Sequence, residues 1–297
     1  SKLTDIKLPN SVVSIYHHAF DETAIPSITI PASVTLLGQK SFSKETIIDY
    51  QKQIDEGGKL IKSTGKKNFF STENEHQQNY DTYASVVNSY LYEGEDQTFY
   101  RAEYTSDQII IEQYNQEDYR FNKSWKLPME LQKFGGFYAG SDALYLVFGK
   151  NNLKENDNEE VIRVVKYSKD MRRLSSVSLY GANTIIPFDF CSLRMDERGD
   201  YLYIHTGHSM YKSSDGKNHQ ANMTMILNTK RMLWSYCGMH VSRNTVGYTS
   251  HSFNQFTKID DEHLIFVDQG DAYPREIVMT VVPAEDVVDE SATVTLL

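Results

Sequence analysis

The sequence is poor in cysteine. Cys191 and Cys237 are the only two in 297 residues, which excludes the small, disulfide-dense secreted scaffolds. Neither cysteine lies in a CxxC or another metal-ligand spacing. The two thiols have the option of pairing, but we expect them to be two small buried side chains.

Other common signals are also missing. No apolar run approaches the length of a membrane span, and no segment has the pattern of a signal peptide. The strings GxGxxG, GxxxxGKS, GxSxG and HExxH, which mark nucleotide-binding loops, hydrolases and zinc proteases, do not occur. The net charge of −10 argues against a nucleic-acid partner, because such binding relies on Lys and Arg neutralising phosphates. Glycans, proteins and cations are the partner classes that remain.

Residues that favour β-structure are abundant. The chain has 20 Tyr and 14 Phe, with Val, Ile and Thr in short alternating runs, and this composition predicts a mainly β fold. The hydrophobic fraction of 40% is sufficient for the core of one large domain or two smaller ones.

The beginning of the chain repeats itself. Residues 3–20 and 25–42 align at an offset of 22, and a period in the twenties indicates a solenoid in which each unit adds one short strand to a parallel sheet. Apolar residues alternate before each proline, and proline ends a strand because it cannot donate to the ladder. The identical pairs are Ile6/Ile28, Pro9/Pro31, Ser11/Ser33, Val12/Val34 and Phe20/Phe42.

The repeated pattern IxIPxSVxxIxxxAF resembles the BspA-like leucine-rich repeat of bacterial surface antigens. The resemblance covers about the first 45 residues, and it implies that the IxIP segment is the strand, that the Val, Ile and Phe face the core, and that the protein is extracellular or at the cell surface. A third unit begins at residues 46–50 but lacks the Pro and the Phe. Two repeats bury too little core alone. Either more repeats precede Ser1 in a longer natural chain, which the missing initiator Met favours, or these two pack on the following domain.

A second, longer repeat follows. A polar turn and an alternating apolar strand recur at 107–111, 142–147, 200–204 and 262–267. In three of the units another strand precedes this one, at 134–140, 188–195 and 251–259, and a hairpin follows it, with tips at 168–170 and 228–230 in two of them. Each unit therefore predicts four antiparallel strands, and repetition of such units predicts a β-propeller-like domain. A β-sandwich is the alternative.

These patterns divide the chain into three parts. Residues 1–50 are predicted to be the end of the leucine-rich-repeat array, residues 51–75 a linker, and residues 76–297 a propeller-like domain of about four blades, complete or partial. The linker contains the polar stretch KSTGKKN at 62–68.

The predicted register brings three loops to one end of the second domain. These are residues 149–160, 206–220 and 268–275, and loops on a rigid scaffold are where binding residues collect. The candidate ligand-binding residues are His205, His208, Tyr211, Asp215, His219, His251, Tyr273 and Arg275.

Metal binding has weaker support. Two imidazoles three residues apart in HTGH suit zinc on a helix, but the flanking YLYI is strand-like, so we expect hydrogen-bonded histidines instead. Asp268 and Asp271, with the carbonyls around Gly270, are candidate calcium ligands, although the full EF-hand pattern is absent. No other cofactor is predicted.

The favoured function is a secreted or cell-surface binding and adhesion module for a host or neighbouring-cell protein or glycan. One alternative is a carbohydrate-active enzyme with Asp215, Asp268 and Asp271 as its carboxylates. The other is an architectural spacer in a large surface protein. We assign no catalytic residue, because Ser250 and His251 are adjacent in sequence and adjacency does not make a triad. An enzyme is therefore the less favoured reading.

Overall fold

The computed structural model describes residues 3–54, 57–63, 89–94, 97–105, 107–240, 249–271, 275–284 and 293–296. Their regular secondary structure is entirely strand, which confirms the mainly β prediction. Within this part of the chain, no helix is long and apolar enough to cross a membrane.

The 22-residue repeats form a small parallel layer. Its strands are β1 (Ser14–Ile15), β2 (Ser27–Ile30), β3 (Leu36–Leu37) and β4 (Ile47–Tyr50). β1 pairs with β3 and β2 pairs with β4, both in parallel. The rings of Phe20 and Phe42 stack with their centroids 5.1 Å apart. β2 stops immediately before Pro31, as predicted, whereas the corresponding residues 6–8 of the first copy lie outside any strand.

The remaining strands form four antiparallel sheets along the chain, after a short β5 (Lys59–Leu60). Sheet I consists of β6 (Ser89–Gly94), β7 (Thr98–Thr105), β8 (Gln108–Asn115) and β9 (Phe121–Pro128). Sheet II consists of β10 (Lys133–Ala139), β11 (Ala143–Gly149), β12 (Glu160–Ser168) and β13 (Arg172–Tyr180). Sheet III consists of β14 (Thr184–Pro187), β15 (Arg194–Arg198), β16 (Tyr201–Lys212), β17 (Asn218–Asn228) and β18 (Leu233–Gly238). Sheet IV consists of β19 (Ser252–Ile259), β20 (His263–Gly270), β21 (Ile277–Pro283) and β22 (Thr293–Leu296).

The predicted four-strand units match these sheets, with one shift. The strand expected at 188–195 begins at Arg194 instead, and β14 precedes it. Phe188 and Phe190 have positive φ angles of 59° and 51°, a left-handed conformation that interrupts an extended strand. The chain therefore turns between β14 and β15. The hairpin tips lie where they were expected, between β12 and β13 and between β17 and β18.

One strand of each sheet contacts a strand of the next sheet. β6 contacts β10, β10 contacts β15, and β15 contacts β19. Arg194 of β15 lies over the ring of Tyr90 in β6 and over the ring of Phe256 in β19, at 5.6 and 5.4 Å from the two centroids. Four antiparallel sheets with β6, β10, β15 and β19 side by side have the arrangement of propeller blades. The sandwich alternative, with two sheets packed face to face, does not describe them.

The repeat layer packs directly on sheet III. β3 pairs in parallel with β18 at Leu36 and Trp234, and the Trp234 N–H donates to the Thr35 carbonyl at 2.8 Å. Leu36 and Trp234 are both buried in the core that sheets II and III share. Leu36 therefore joins the repeat layer to this core, whereas most buried apolar side chains of the repeats, including Ile28, Ile30 and Phe42, pack in a cluster of their own. β5 pairs with β13 at the edge of sheet II, and residues 64–88 lie outside the described residues.

Candidate functional site

The loops that join β11 to β12, β16 to β17 and β20 to β21 define one end of the sheets, which we call the loop end. In sheet III this loop is shorter than predicted, because β16 continues to Lys212 and β17 begins at Asn218. In sheet IV, β20 continues to Gly270. Most of residues 206–220 are therefore strand, and His205, His208 and Asp268 are strand residues. Their polarity suggested a loop, but each is covered by a neighbouring strand or sheet.

The loop of sheet II is bonded to the long hairpin of sheet III. The Glu155 carboxylate accepts from the Lys212 N–H at 2.9 Å and from the Asn218 side-chain amide at 3.2 Å. The Asn152 side-chain amide donates to the Tyr211 hydroxyl at 2.9 Å. These contacts hold two of the three predicted loops together.

The tip of the sheet III hairpin is an Asp-Gly turn. Asp215 accepts from the Ser213 hydroxyl at 2.7 Å, the Lys217 N–H at 3.0 Å and His219 Nε2 at 2.8 Å. These donors, the Ser213 hydroxyl first, hold the pKa of Asp215 well below its usual range. Gly216 has a φ of +79°, which a glycine adopts without steric cost. Asp215 and His219 are both about half exposed.

Sheet IV reaches the loop end through His251. Its Nε2 hydrogen-bonds to the Gln220 side-chain oxygen, and the Gln220 amide donates to the Asp189 carbonyl at 3.3 Å. Burial lowers the pKa of His251, and Asp271 opposes that shift. Arg275 is exposed, and Tyr273 lies outside the described residues.

A buried polar contact joins sheets III and IV below this surface. His205 Nε2 lies 3.0 Å from the Asp268 carboxylate, and its Nδ1 lies 3.0 Å from the Thr224 hydroxyl. The His205 ring stacks on Phe266 with centroids 4.1 Å apart. The Asn222 amide donates to Asp268 at 3.2 Å. His205 and Asp268 are only 3% and 2% exposed, so they connect two sheets and do not contact solvent.

Further hydrogen bonds, between Ser192 and Gln255, connect the same two sheets. The Ser192 N–H donates to the Gln255 side-chain oxygen at 3.0 Å, and the Ser192 hydroxyl donates to the Gln255 carbonyl at 3.0 Å. Gln255 also lies 3.5 Å from Asn222. We call His205, Asp268, Asn222, Gln255 and Ser192 the polar seam.

His208 is fully buried in sheet III. Its Nδ1 lies 2.7 Å from the Thr184 hydroxyl, while its Nε2 has no hydrogen-bond partner among the described residues. Burial, with a smaller effect from His240, lowers the pKa of His208 to about 4. His208 is therefore a neutral core residue at physiological pH.

Asp268 does not fit a calcium site. Its two oxygens lie against the donors of His205 and Asn222, whereas calcium needs carboxylate oxygens that face the ion. The described part of the chain contains no group of three or more His, Cys, Asp or Glu side chains that would hold a metal. Cys191 and Cys237 are thiols and not a disulfide, and burial raises the pKa of each to about 12.

Reasoning from the sequence missed four residues that organise the loop end: Asn152, Glu155, Asp189 and Gln220. Glu155 and Lys212 are 57 positions apart, so no local pattern connects them. The one available signal was that residues 149–160 and 206–220 were predicted to be neighbouring loops.

Comparison with known families matches the repeat segment. Residues 1–98 match the family model described as "BspA type Leucine rich repeat region (6 copies)". This match supports the resemblance seen in residues 3–42. No curated protein matches the chain.

Several solved structures show a distant likeness. A Synechocystis ACO mutant is 8% identical with a TM-score of 0.36, over 71% of this chain and 61% of that one. A thermostable family-43 glycoside hydrolase is 10% identical with a TM-score of 0.37, over 66% and 68%. An alpha-L-arabinanase of Cellvibrio cellulosa is 13% identical with a TM-score of 0.33, over 66% and 72%. Likeness at this level carries no argument about activity.

Proposed function

We propose that this chain is a binding module of a secreted or cell-surface protein, and that its loop end recognises a protein or glycan of a host or neighbouring cell. One observation carries the proposal. Asn152 and Glu155 fasten the sheet II loop to Tyr211, Lys212 and Asn218 of sheet III. A surface ordered before binding loses little conformational entropy when a ligand arrives. The BspA-type match of residues 1–98 supports the location.

The proposed contact residues differ in exposure. Asp215, His219 and Arg275 are exposed, and Tyr211 and His251 are partly buried. Tyr273 lies outside the described residues and is included among the proposed contact residues because of the sequence alone. The buried residues His205, His208 and Asp268 have a supporting role, in which they hold the strands beneath the loops.

The carboxylates of this end suit binding better than glycoside hydrolysis. A glycosidase needs one carboxylic acid with a raised pKa to protonate the leaving group. The pKa of Asp215 is lowered by its hydrogen bonds, and Asp268 is buried against His205 and Asn222. No observation on the described residues favours the enzyme alternative.

The test is a protein and glycan array probed with the labelled chain, followed by paired variants. Asp215→Ala with His219→Ala removes the exposed pair at the loop end. His18→Ala with Asp21→Ala removes a matched exposed pair, 2.9 Å apart, in the repeat layer. We expect the first double variant to lose binding and the second to keep it. Silence on both arrays at high micromolar concentration would favour the spacer and contradict the proposal.

A further inference from the structure

A second concavity lies at the other end of the sheets. In an antiparallel sheet, the turn that follows a strand lies at the opposite end from the loop that precedes that strand. The turns at 168–172 and 228–231, together with residues 50–54, line a cleft of about 990 Å³. This cleft is remote from the loop end and independent of the function proposed for it.

The cleft is positively charged although the chain is acidic. Among the described residues, five cationic side chains and three carboxylates line it, an excess of two positive charges in a chain whose net charge is −10. Asp55 and Glu56, which follow Ile54 in the chain, lie outside the described residues. The lining charges are Lys52, Lys166, Arg172, Lys230 and Arg231, with Asp142, Asp170 and Asp200.

Three of the cations have carboxylate partners within the cleft. Asp142 lies 3.1 Å from Lys230 Nζ and 3.6 Å from Lys166 Nζ. Asp170 accepts from Arg172 at 3.0 Å. These pairs account for much of the negative charge in the cleft.

Lys52 and Arg231 have no carboxylate partner among the described residues. Lys52 donates to the Met232 carbonyl at 2.8 Å, and burial lowers its pKa. The Arg231 guanidinium lies 4.3 Å from the centroid of the Tyr50 ring. Lys52 is partly buried and donates to a neutral carbonyl, whereas Arg231 is exposed. A bound anion would give Lys52 the opposite charge that it lacks and would form charge-assisted hydrogen bonds with both side chains.

We propose that this cleft binds an acidic oligosaccharide, a glycan that carries carboxylate or sulfate groups. A guanidinium that lies against an aromatic ring still presents its N–H groups to an anion in bidentate geometry. Of the described residues that line the cleft, only Ile54 and Leu174 are aliphatic, so it offers little for the buried apolar anchors that dominate peptide interfaces. Its volume is at the upper end of the range for small-molecule sites, which suits several polar sugar rings.

Calorimetry tests the ligand class with defined probes. These are trigalacturonic acid for carboxylates, a heparin-derived tetrasaccharide for sulfates, maltotriose as the neutral sugar, and a hexaglutamate peptide. We expect an acidic sugar to bind at about 50 mM salt and to bind about tenfold more weakly at about 500 mM, because salt screens the charges. Maltotriose should not bind. The two acidic sugars distinguish the source of the anion.

Paired variants locate the site. Arg231→Gln should weaken binding about tenfold, the loss of one charged hydrogen bond, and Lys52→Gln should act in the same direction. Arg120→Gln is the matched control, since Arg120 is 84% exposed and pairs with Asp118 away from the cleft. If Lys52→Gln does not fold, because its bond to Met232 is lost, Arg231→Gln alone decides.

Three results would overturn this proposal: no acidic sugar binds at millimolar concentration, Arg231→Gln binds like the wild type, or hexaglutamate binds more tightly than any sugar. The double variant Asp215→Ala with His219→Ala should keep cleft binding intact. A failure of the binding proposed at the loop end can therefore be distinguished from a failure of the binding proposed in the cleft.

Discussion

Two of the histidine–aspartate pairs in the molecule have nearly the same bond length and opposite surroundings. His205 and Asp268 are 3.0 Å apart and almost fully buried between sheets III and IV, whereas His219 and Asp215 are 2.8 Å apart and about half exposed at one hairpin tip. In the first pair, removal of one partner leaves the other buried without compensation. In the second, water replaces the lost partner. Burial, and not distance, decides which pair supports the fold and which is available to a ligand.

The largest expected effect is on the buried pair. Asp268→Ala removes an acceptor from both His205 and Asn222, and each buried donor left unsatisfied lowers the free energy of unfolding by about 1–3 kcal/mol. Urea denaturation measures the change. Asp271→Ala, at a partly exposed residue immediately after β20, is the control and should cost much less. Equal effects of the two variants would contradict a special role for the polar seam.

A double variant distinguishes the loss of the whole pair from the loss of one partner. His205→Phe with Asp268→Leu replaces both polar partners with apolar groups and keeps an aromatic ring against Phe266. Since hydrophobic replacement of a buried pair is often neutral or stabilising, this chain should be more stable than Asp268→Ala alone. Equal or lower stability would mean that the other hydrogen bonds of the seam dominate.

The next effect is a pH dependence from buried His208. Its pKa is about 4 in the folded protein, against an ordinary value of 6.5, so on acidification the unfolded chain takes up a proton first. The stabilisation is complete above pH 6.5 and is lost as the pH falls from 6.5 to about 4, which amounts to about 3 kcal/mol. His208→Gln should flatten this slope in urea denaturation across that range.

His219→Gln is the matched control for His208→Gln. Because His219 is exposed, the free energy of unfolding of His219→Gln should depend on pH as it does in the wild type. Some slope should persist in His208→Gln, because burial also lowers the pKa of His251. An unchanged slope in His208→Gln would refute the assignment to this residue.

A smaller effect concerns close packing beside the polar seam. A Cβ added at Gly207 would lie 2.1 Å from Cys191 Sγ, so Gly207→Ala forces a shift in the core and costs about 1–3 kcal/mol. Thermal unfolding reports the change. Adding Cys191→Ala should recover part of the loss, since it removes the sulfur. No recovery would place the strain elsewhere.

The smallest effect is expected at the exposed pair. Asp215→Asn with His219→Gln should leave the melting temperature at the wild-type value, because solvent already screens both groups. The same variant should lose ligand binding if the loop end is the recognition surface. A marked loss of thermal stability would show that this turn supports the fold, and the contrast between the two pairs would fail.

Local patterns predicted the strands better than the turns. The strands expected at 134–140 and 251–259 correspond to β10 and β19, because alternation with period two is a property of a short segment. The strand at 188–195 was displaced, because Phe188 and Phe190 take a left-handed backbone that their composition does not reveal. HTGH was predicted to be a loop because it is polar, yet cross-strand partners and sheet IV cover it.

By itself the sequence determined the repeat layer and the four-strand units, because spacing along a chain fixes which side chains share a strand face. The tertiary structure alone decided which polar residues are buried. His205 and Asp268 are 63 residues apart, and Lys52 and Met232 are 180 apart. The polar seam and the cationic cleft both depend on such distant contacts. They form only when separate sheets and the repeat layer pack together, and the spacing of residues along the chain does not determine that packing.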